Sequence, residues 1–459
     1  MKQLTKYLFF FLPLLSFGQN ATDIKNLKKA IELSKVQEKP ILLIIESNSI
    51  NQANINAKNT LRNADFNKLA WQNFVVFEAD MDNSSIKNII SRYNISILPT
   101  FLFLHNNEEV FLKETGYSPV PSKYIQMINL AIEKKSEKPL SVLEKEFSEN
   151  QNDKFLLKKL IDARKSIGIT DNAELIEKFV LNLSSEELTK YETILFILEA
   201  GPYADGNAFK IAFSNRNMIS LVYSRSNGSN FTRIRTAITD NTMKNAIKTK
   251  NIEQAKAIGN YLKDLAGPTY GPKNYTSTLL SYYKGVGDTT NFLKNAIPFY
   301  DNNYMTMSMK SVREKQEQYL HSEILKTLPF STPTLVKSGK DSIEVAAIGM
   351  KNTSISTSAI PIDNNSLYAN ILNKVAWDFY QTGTKDINYL TKAMIWSRRS
   401  IELYPSANYY DTLAHILYQL TYTNEAIKIQ ELAISQARIQ KISYENMQKD
   451  LKKMKNKTL

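Results

Sequence analysis

The 459-residue chain contains no cysteine. That absence removes disulfides, thiolate nucleophiles, cysteine metal sites and iron–sulfur clusters together. Histidine is nearly as scarce, with only His105, His321 and His415. No pair of them has a metal-ligating spacing, and Asp411 with His415 gives at most two ligands on one helix face. Glycine numbers 14, and no glycine-rich phosphate loop occurs. No serine-nucleophile motif accompanies the histidines. The sequence therefore predicts no metal, no cofactor and no enzyme activity. Nucleic acid is also an unexpected partner despite the formal net charge of +13. The lysines are scattered among acidic residues and become dense only from Lys449 to Lys457, without a recognition motif.

What is present describes a globular protein. The hydrophobic fraction is 43% and the charged fraction 22%, ordinary values for a chain of several domains. Lys2 and Lys6 precede an apolar stretch from Leu8 to Phe17, shorter than the ~20 residues a spanning helix needs. Ser16 and Gly18 supply the small residues of a cleavage site. Residues 1–18 thus read as a signal peptide cut after Gly18, which predicts an exported, periplasmic protein. No cysteine follows the stretch for lipid attachment, and no later apolar run is long enough for a transmembrane segment.

Residues 22–136 alternate helical and strand patterns. Ile24, Leu27, Ile31 and Ser34 share a helical face that stops at Lys39-Pro40. Ile41 to Ile45 are apolar at every position, as in a strand covered on both faces. Phe74 to Ala79 make a second buried strand, and Ser84 or Ser85 is placed to cap the helix through Ile86, Ile89, Ile90 and Tyr93. Phe101 to Leu104 and Val110 to Leu112 form a hairpin whose turn, Asn106-Asn107, favours left-handed backbone angles. A helix from Pro121 to Glu133 closes the series, with Tyr124, Met127, Ile128 and Ala131 on one side.

This order resembles the thioredoxin fold. Lys39-Pro40 leading into an apolar strand looks like the family's first core strand. Ile97-Leu98-Pro99-Thr100 matches its cis-proline segment, and Gly116 sits where the family has a glycine after the last strand. Asp65-Phe66, Leu69, Trp71, Phe74 and Asp80-Met81-Asp82 are similar to the branch found in secreted disulfide-handling proteins. The departure falls at the redox motif. The family's Cys-x-x-Cys belongs near Ser49-Ile50-Asn51-Gln52-Ala53, and its proton-assisting carboxylate near Ile44. Without a thiolate there is no thiol–disulfide exchange. The resemblance implies a cis Pro99 and a peptide groove in which the backbone of Leu98 receives an extended chain.

From 137 to 330 the pattern is one of successive amphipathic helices, punctuated by Gly201-Pro202, Gly267-Pro268 and Gly271-Pro272. Their tyrosines, among them Tyr261, Tyr270, Tyr275, Tyr282 and Tyr283, read as helix-packing groups. Residues 331–365 are rich in Ser and Thr and read as a linker or small hairpin. In 366–459 an internal repeat appears. Ala393, Ser400 and Pro405 lie at offsets 0, 7 and 12, and Ala426 and Ala433 repeat the first two 33 residues on, with Ala414 twelve before Ala426. This resembles the tetratricopeptide repeat, whose period is about 34. Two units are few for a stacked array, so the middle helices are expected to belong to it too.

The fold class predicted is an α/β thioredoxin-like domain followed by an all-α helical-repeat solenoid. The predicted role is non-catalytic binding of a protein or peptide partner. One alternative is a substrate-holding accessory of a disulfide or folding system. Another is an unrelated activity on the same scaffold, with Ser49 as its polar group.

Overall fold

Five apolar residues in a row, Ile41 to Ile45, can be buried together only if both faces of their strand are covered. In the computed structural model all five are buried. The structure describes residues 24–47, 59–61, 63–225, 228–305 and 364–459. Positions 1–18, 49–53 and 331–363, and His321, lie outside the described residues.

The first elements in chain order are α1 (Leu27–Gln37), β1 (Ile41–Glu46), α2 (Ala64–Asn73), β2 (Val75–Asp80), α3 (Lys87–Arg92), β3 (Thr100–Leu104), β4 (Val110–Thr115) and α4 (Pro121–Lys134). The four strands make one mixed sheet in the order β2-β1-β3-β4. β1 runs parallel to β2 and antiparallel to β3, and β4 is antiparallel to β3. Side chains alternate between the faces of a strand. Ile41, Leu43 and Ile45 therefore enter a core with Leu27 and Ala30 of α1 and Ile89 of α3. Leu42 and Ile44 enter a second core with Phe66 and Ala70 of α2 and Met127, Ile128 and Ala131 of α4.

Two local predictions are corrected. The cap ahead of α3 is Asn83, not a serine: its side chain accepts from the Ser85 N–H at 2.9 Å. Asn caps as well as Ser and stands one residue earlier, while the Ser85 hydroxyl accepts from the Leu27 N–H at 3.2 Å. In the β3–β4 turn the left-handed residue is Glu108, at φ 68°, not Asn106 or Asn107. Asn107 instead uses its side chain to accept from the Glu109 N–H at 3.1 Å, and a register shift between Phe103 and Leu104 absorbs the extra residue.

The chain forms two compact units, Met1–Asn245 and Ala246–Leu459. The first carries the sheet beyond residue 136 into α5 (Leu140–Glu149), α6 (Lys154–Ser166), α7 (Ala173–Leu181), α8 (Tyr191–Glu199), α9 (Asn207–Ser214), α10 (Arg216–Arg225) and much of α11 (Gly228–Thr249). Ile167 is buried in the α1 side of the sheet core, with Leu140 and Ile169 against it. The Ser141 N–H and hydroxyl donate to the Glu109 carboxylate at 2.7 and 2.9 Å. These contacts tie the helices to the sheet.

The second unit contains α12 (Ile252–Gly285), α13 (Thr289–Tyr300), α14 (Asn364–Gln381), α15 (Ile387–Leu403), α16 (Ala407–Gln419), α17 (Thr423–Ile439) and α18 (Glu445–Lys455). Gly267-Pro268 kinks α12 rather than ending it. Gly267 has φ 69° and ψ −175°, outside helical space, which only a residue without Cβ takes readily. Pro268 then begins a new first turn, where a missing N–H costs nothing. Tyr261 and Tyr282 are buried as packing groups, whereas Tyr270 is exposed. Among the described residues no helix is long and apolar enough to cross a membrane.

Candidate functional site

Two places combine accessible groups with a defined scaffold. The first is the end of the sheet where β1 finishes and β3 begins. Ile45 pairs with Thr100, so Glu46 and the 94–99 loop lie at the same end. The Leu98–Pro99 peptide is cis, and Pro99 is buried. The loop is held on both sides: the Thr100 hydroxyl donates to the Ile97 carbonyl at 2.6 Å, and the Gly116 N–H to the Pro99 carbonyl at 2.8 Å. Gly116 has φ 88°, a value that favours glycine.

Between those anchors Leu98 packs its side chain on the sheet core. Its N–H and carbonyl have no partner among the described residues. Ile97 beside it is 57% exposed. An unpaired backbone next to an exposed apolar side chain is the arrangement a strand-like segment extends. Across the loop the Tyr117 hydroxyl donates to Glu46 Oε1 at 3.0 Å. Burial, then the neighbouring Glu46 charge, pushes the Tyr117 hydroxyl well above the usual phenol range. Burial also pushes Tyr124 up, and its oxygen accepts from the Ser118 N–H at 2.8 Å.

The second place is on the C-terminal helices. The small residues of the repeat pattern all lie at helix contacts: Ala393, Ser400, Ala414, Ala426 and Ala433 are fully buried. Pro405 is exposed after α15, and its carbonyl accepts from Gln440 Nε2 at 3.3 Å. Alongside these, α14, α16 and α18 meet around His415. Its ring lies 5.4 Å from Trp377 and 5.5 Å from Tyr380, nearly perpendicular to both. Trp377 and Tyr380 stack on each other at 5.0 Å. Nδ1 of His415 is 2.8 Å from the Asp411 carbonyl, which can only accept, so Nδ1 carries the proton. Nε2 faces Asp450 Oδ2 at 3.7 Å.

Gln430 donates to Asp411 Oδ1 at 2.7 Å and to the Met447 carbonyl at 3.2 Å. Burial pushes the Asp411 carboxyl up, against a smaller opposite pull from His415. Among the described residues no group of three or more His, Asp or Glu side chains could hold a metal ion.

The structure thus brings Leu98 and Pro99 together with Glu46 and Tyr117, and assembles the repeat positions into helix contacts. Ser49, Ile50, Asn51, Gln52 and Ala53 lie outside the described residues. Glu46, Tyr117, Gln430 and Asp450 escape the sequence reading, because each meets its partner across 17 or more residues. Only the spacing of Asp411 and His415 signals the second cluster locally.

Comparison with known proteins finds no matching family model, no matching curated protein and no matching solved structure.

Proposed function

We propose that this is an exported, non-enzymatic protein in which a thioredoxin-like domain without redox cysteines and a tetratricopeptide-like helical array hold a protein or peptide partner. The observation that carries the reading is the unpaired Leu98 backbone beside exposed Ile97, in a chain with no cysteine. A thioredoxin-like frame is supported by the mixed sheet with two helices on each face. The array is supported by small residues buried at a 33-residue offset and by the partly exposed Trp377–Tyr380 pair.

Main-chain hydrogen bonds to Leu98 would supply affinity with little sequence selectivity, while Ile97 and the helical surface would supply the rest. The test is a titration of a panel of unstructured peptides against the full chain and its Ile97→Glu variant. Peptide binding that weakens at least tenfold in the variant, with an unchanged unfolding midpoint, is the expected result. A panel with no binder, or affinities indifferent to Ile97→Glu, removes the groove from the reading. Thiol–disulfide exchange by the pure protein would overturn the rest.

A further inference from the structure

A cavity of about 740 Å³ opens at the other end of the sheet, where β1 and β2 start and β3 stops. Its wall is made by the C-terminal ends of α1, α2 and α4 and the residues that follow α1 and α4, which deliver Lys35 and Lys39, Gln72 and Lys135. Lys39 Nζ is fixed by donating to the Trp71 carbonyl at 3.1 Å. Lys35 and Lys135 have no ion-pair partner among the described residues, and Glu38 is the one carboxylate in the wall. The wall thus holds three lysines and a single carboxylate. Gln72, Asn106 and Ser136 also line the cavity, and their side chains make no hydrogen bond among the described residues.

His105 completes the wall. Its ring leans on Phe111, with centroids 4.7 Å apart, and neither ring nitrogen has a hydrogen-bond partner among the described residues. Nε2 is closed off from solvent. Buried polar atoms without partners are rare in folded proteins, and each asks for an explanation. Burial also pulls the ring's proton affinity down, against a smaller upward pull from Glu109.

We propose that this cavity binds a small anionic, hydroxyl-rich ligand of the class of sugar phosphates and sugar acids. Its acid group would sit on Lys35, Lys39 and Lys135. Its hydroxyls would donate to Glu38 and exchange hydrogen bonds with Gln72, Asn106 and Ser136. Neutral sugars lack the first set of contacts and inorganic phosphate the second, so each alone should bind weakly. The cavity is at the opposite end of the sheet from Pro99, and the proposal stands or falls separately from the peptide reading.

The experiment is calorimetric titration of the full chain with glucose 6-phosphate, glucuronate, glucose and inorganic phosphate. It is followed by the imidazole resonances of the chain's three histidines. Saturable binding of either sugar anion, at least tenfold tighter than glucose or phosphate and accompanied by a shift of the His105 signals, is the expected result. The Lys35→Gln/Lys135→Gln double variant should lose at least tenfold in that affinity, and His105→Gln should retain binding with a changed affinity. No saturable binding of either anion overturns the proposal, as does binding that leaves His105 unmoved. If the double variant loses thermal stability but keeps its affinity, the lysines only offset the negative helix ends, and the proposal fails.

Discussion

The two compact units fill their interiors by opposite means. In Met1–Asn245 the sheet core is built from large side chains, with Phe74, Phe77, Phe101 and Phe103 among the fully buried ones. In Ala246–Leu459 the helices approach through Ala393, Ser400, Ala414, Ala426 and Ala433, and the aromatic bulk is concentrated around Trp396 and Phe379. A sheet holds its strands by backbone pairing and needs volume on its faces. Paired helices have no such ladder between them, so small residues set how near they come. The second unit also ties its aromatic core to a half-buried ion pair: Trp396 Nε1 donates to Asp301 at 2.9 Å, and Lys392 pairs with the same carboxylate at 2.8 Å.

This difference can be broken open by substitution, and the largest effects come from emptying either core. Phe103→Ala and Trp396→Ala should each cost about 3–5 kcal/mol, read by denaturant unfolding. Trp396→Ala should be at the upper end because it also strips a hydrogen bond from Asp301. Equal costs for both would mean that the hydrogen bond to Asp301 adds nothing.

The next test reverses the sign of the volume change. Ala433→Leu should cost about 1–3 kcal/mol by forcing α17 off its neighbours. In the sheet the comparable small step is a deletion: Ile45→Val should cost about 0.5–1.5 kcal/mol. An Ala433→Leu variant as stable as the parent would show that the helices are not held at closest approach.

A smaller effect belongs to the polar pair beside Pro99. Tyr117→Phe removes the hydrogen bond to Glu46 and should lower stability by about 1 kcal/mol. The accompanying measurement is peptide affinity, which separates support of the loop from contact with a ligand.

The smallest effect is in the helical unit and depends on pH. Burial raises the Asp411 carboxyl above its unfolded value, so the folded state holds that proton more tightly than the unfolded chain. Its contribution is full below the ordinary aspartate range and is lost as pH rises through the elevated folded value. Asp411→Asn should therefore be more stable than the parent at pH 7, and the gap should close as pH falls below about 4. Unfolding curves at the two pH values check this, and a gap that widens on acidification would reverse the sign.

Much of the sheet was legible because its signals are local. The run Ile41 to Ile45 and the face formed by Tyr124, Met127, Ile128 and Ala131 each declare themselves within a few residues, and the structure has them buried, whereas the cis Leu98–Pro99 peptide was implied only by the resemblance. The β3–β4 turn was less legible. Asn106 and Asn107 both suit left-handed angles, yet Glu108 takes one, because Asn107 spends its side chain on the Glu109 N–H and a register shift lies beside the turn.

Composition needs no coordinates, and a chain without cysteine offers no thiol for exchange. Which segments alternate and which turn every 3.6 residues is likewise readable along the chain, because periodicity is a property of neighbours. Tertiary structure alone decided that the sheet shares its unit with the helices beyond residue 136. It alone decided that Asp450 meets His415, and that three helix ends and a strand end enclose one cavity. Those contacts join residues tens of positions apart, and their energies come from burial and charge in space, which spacing along the chain does not record.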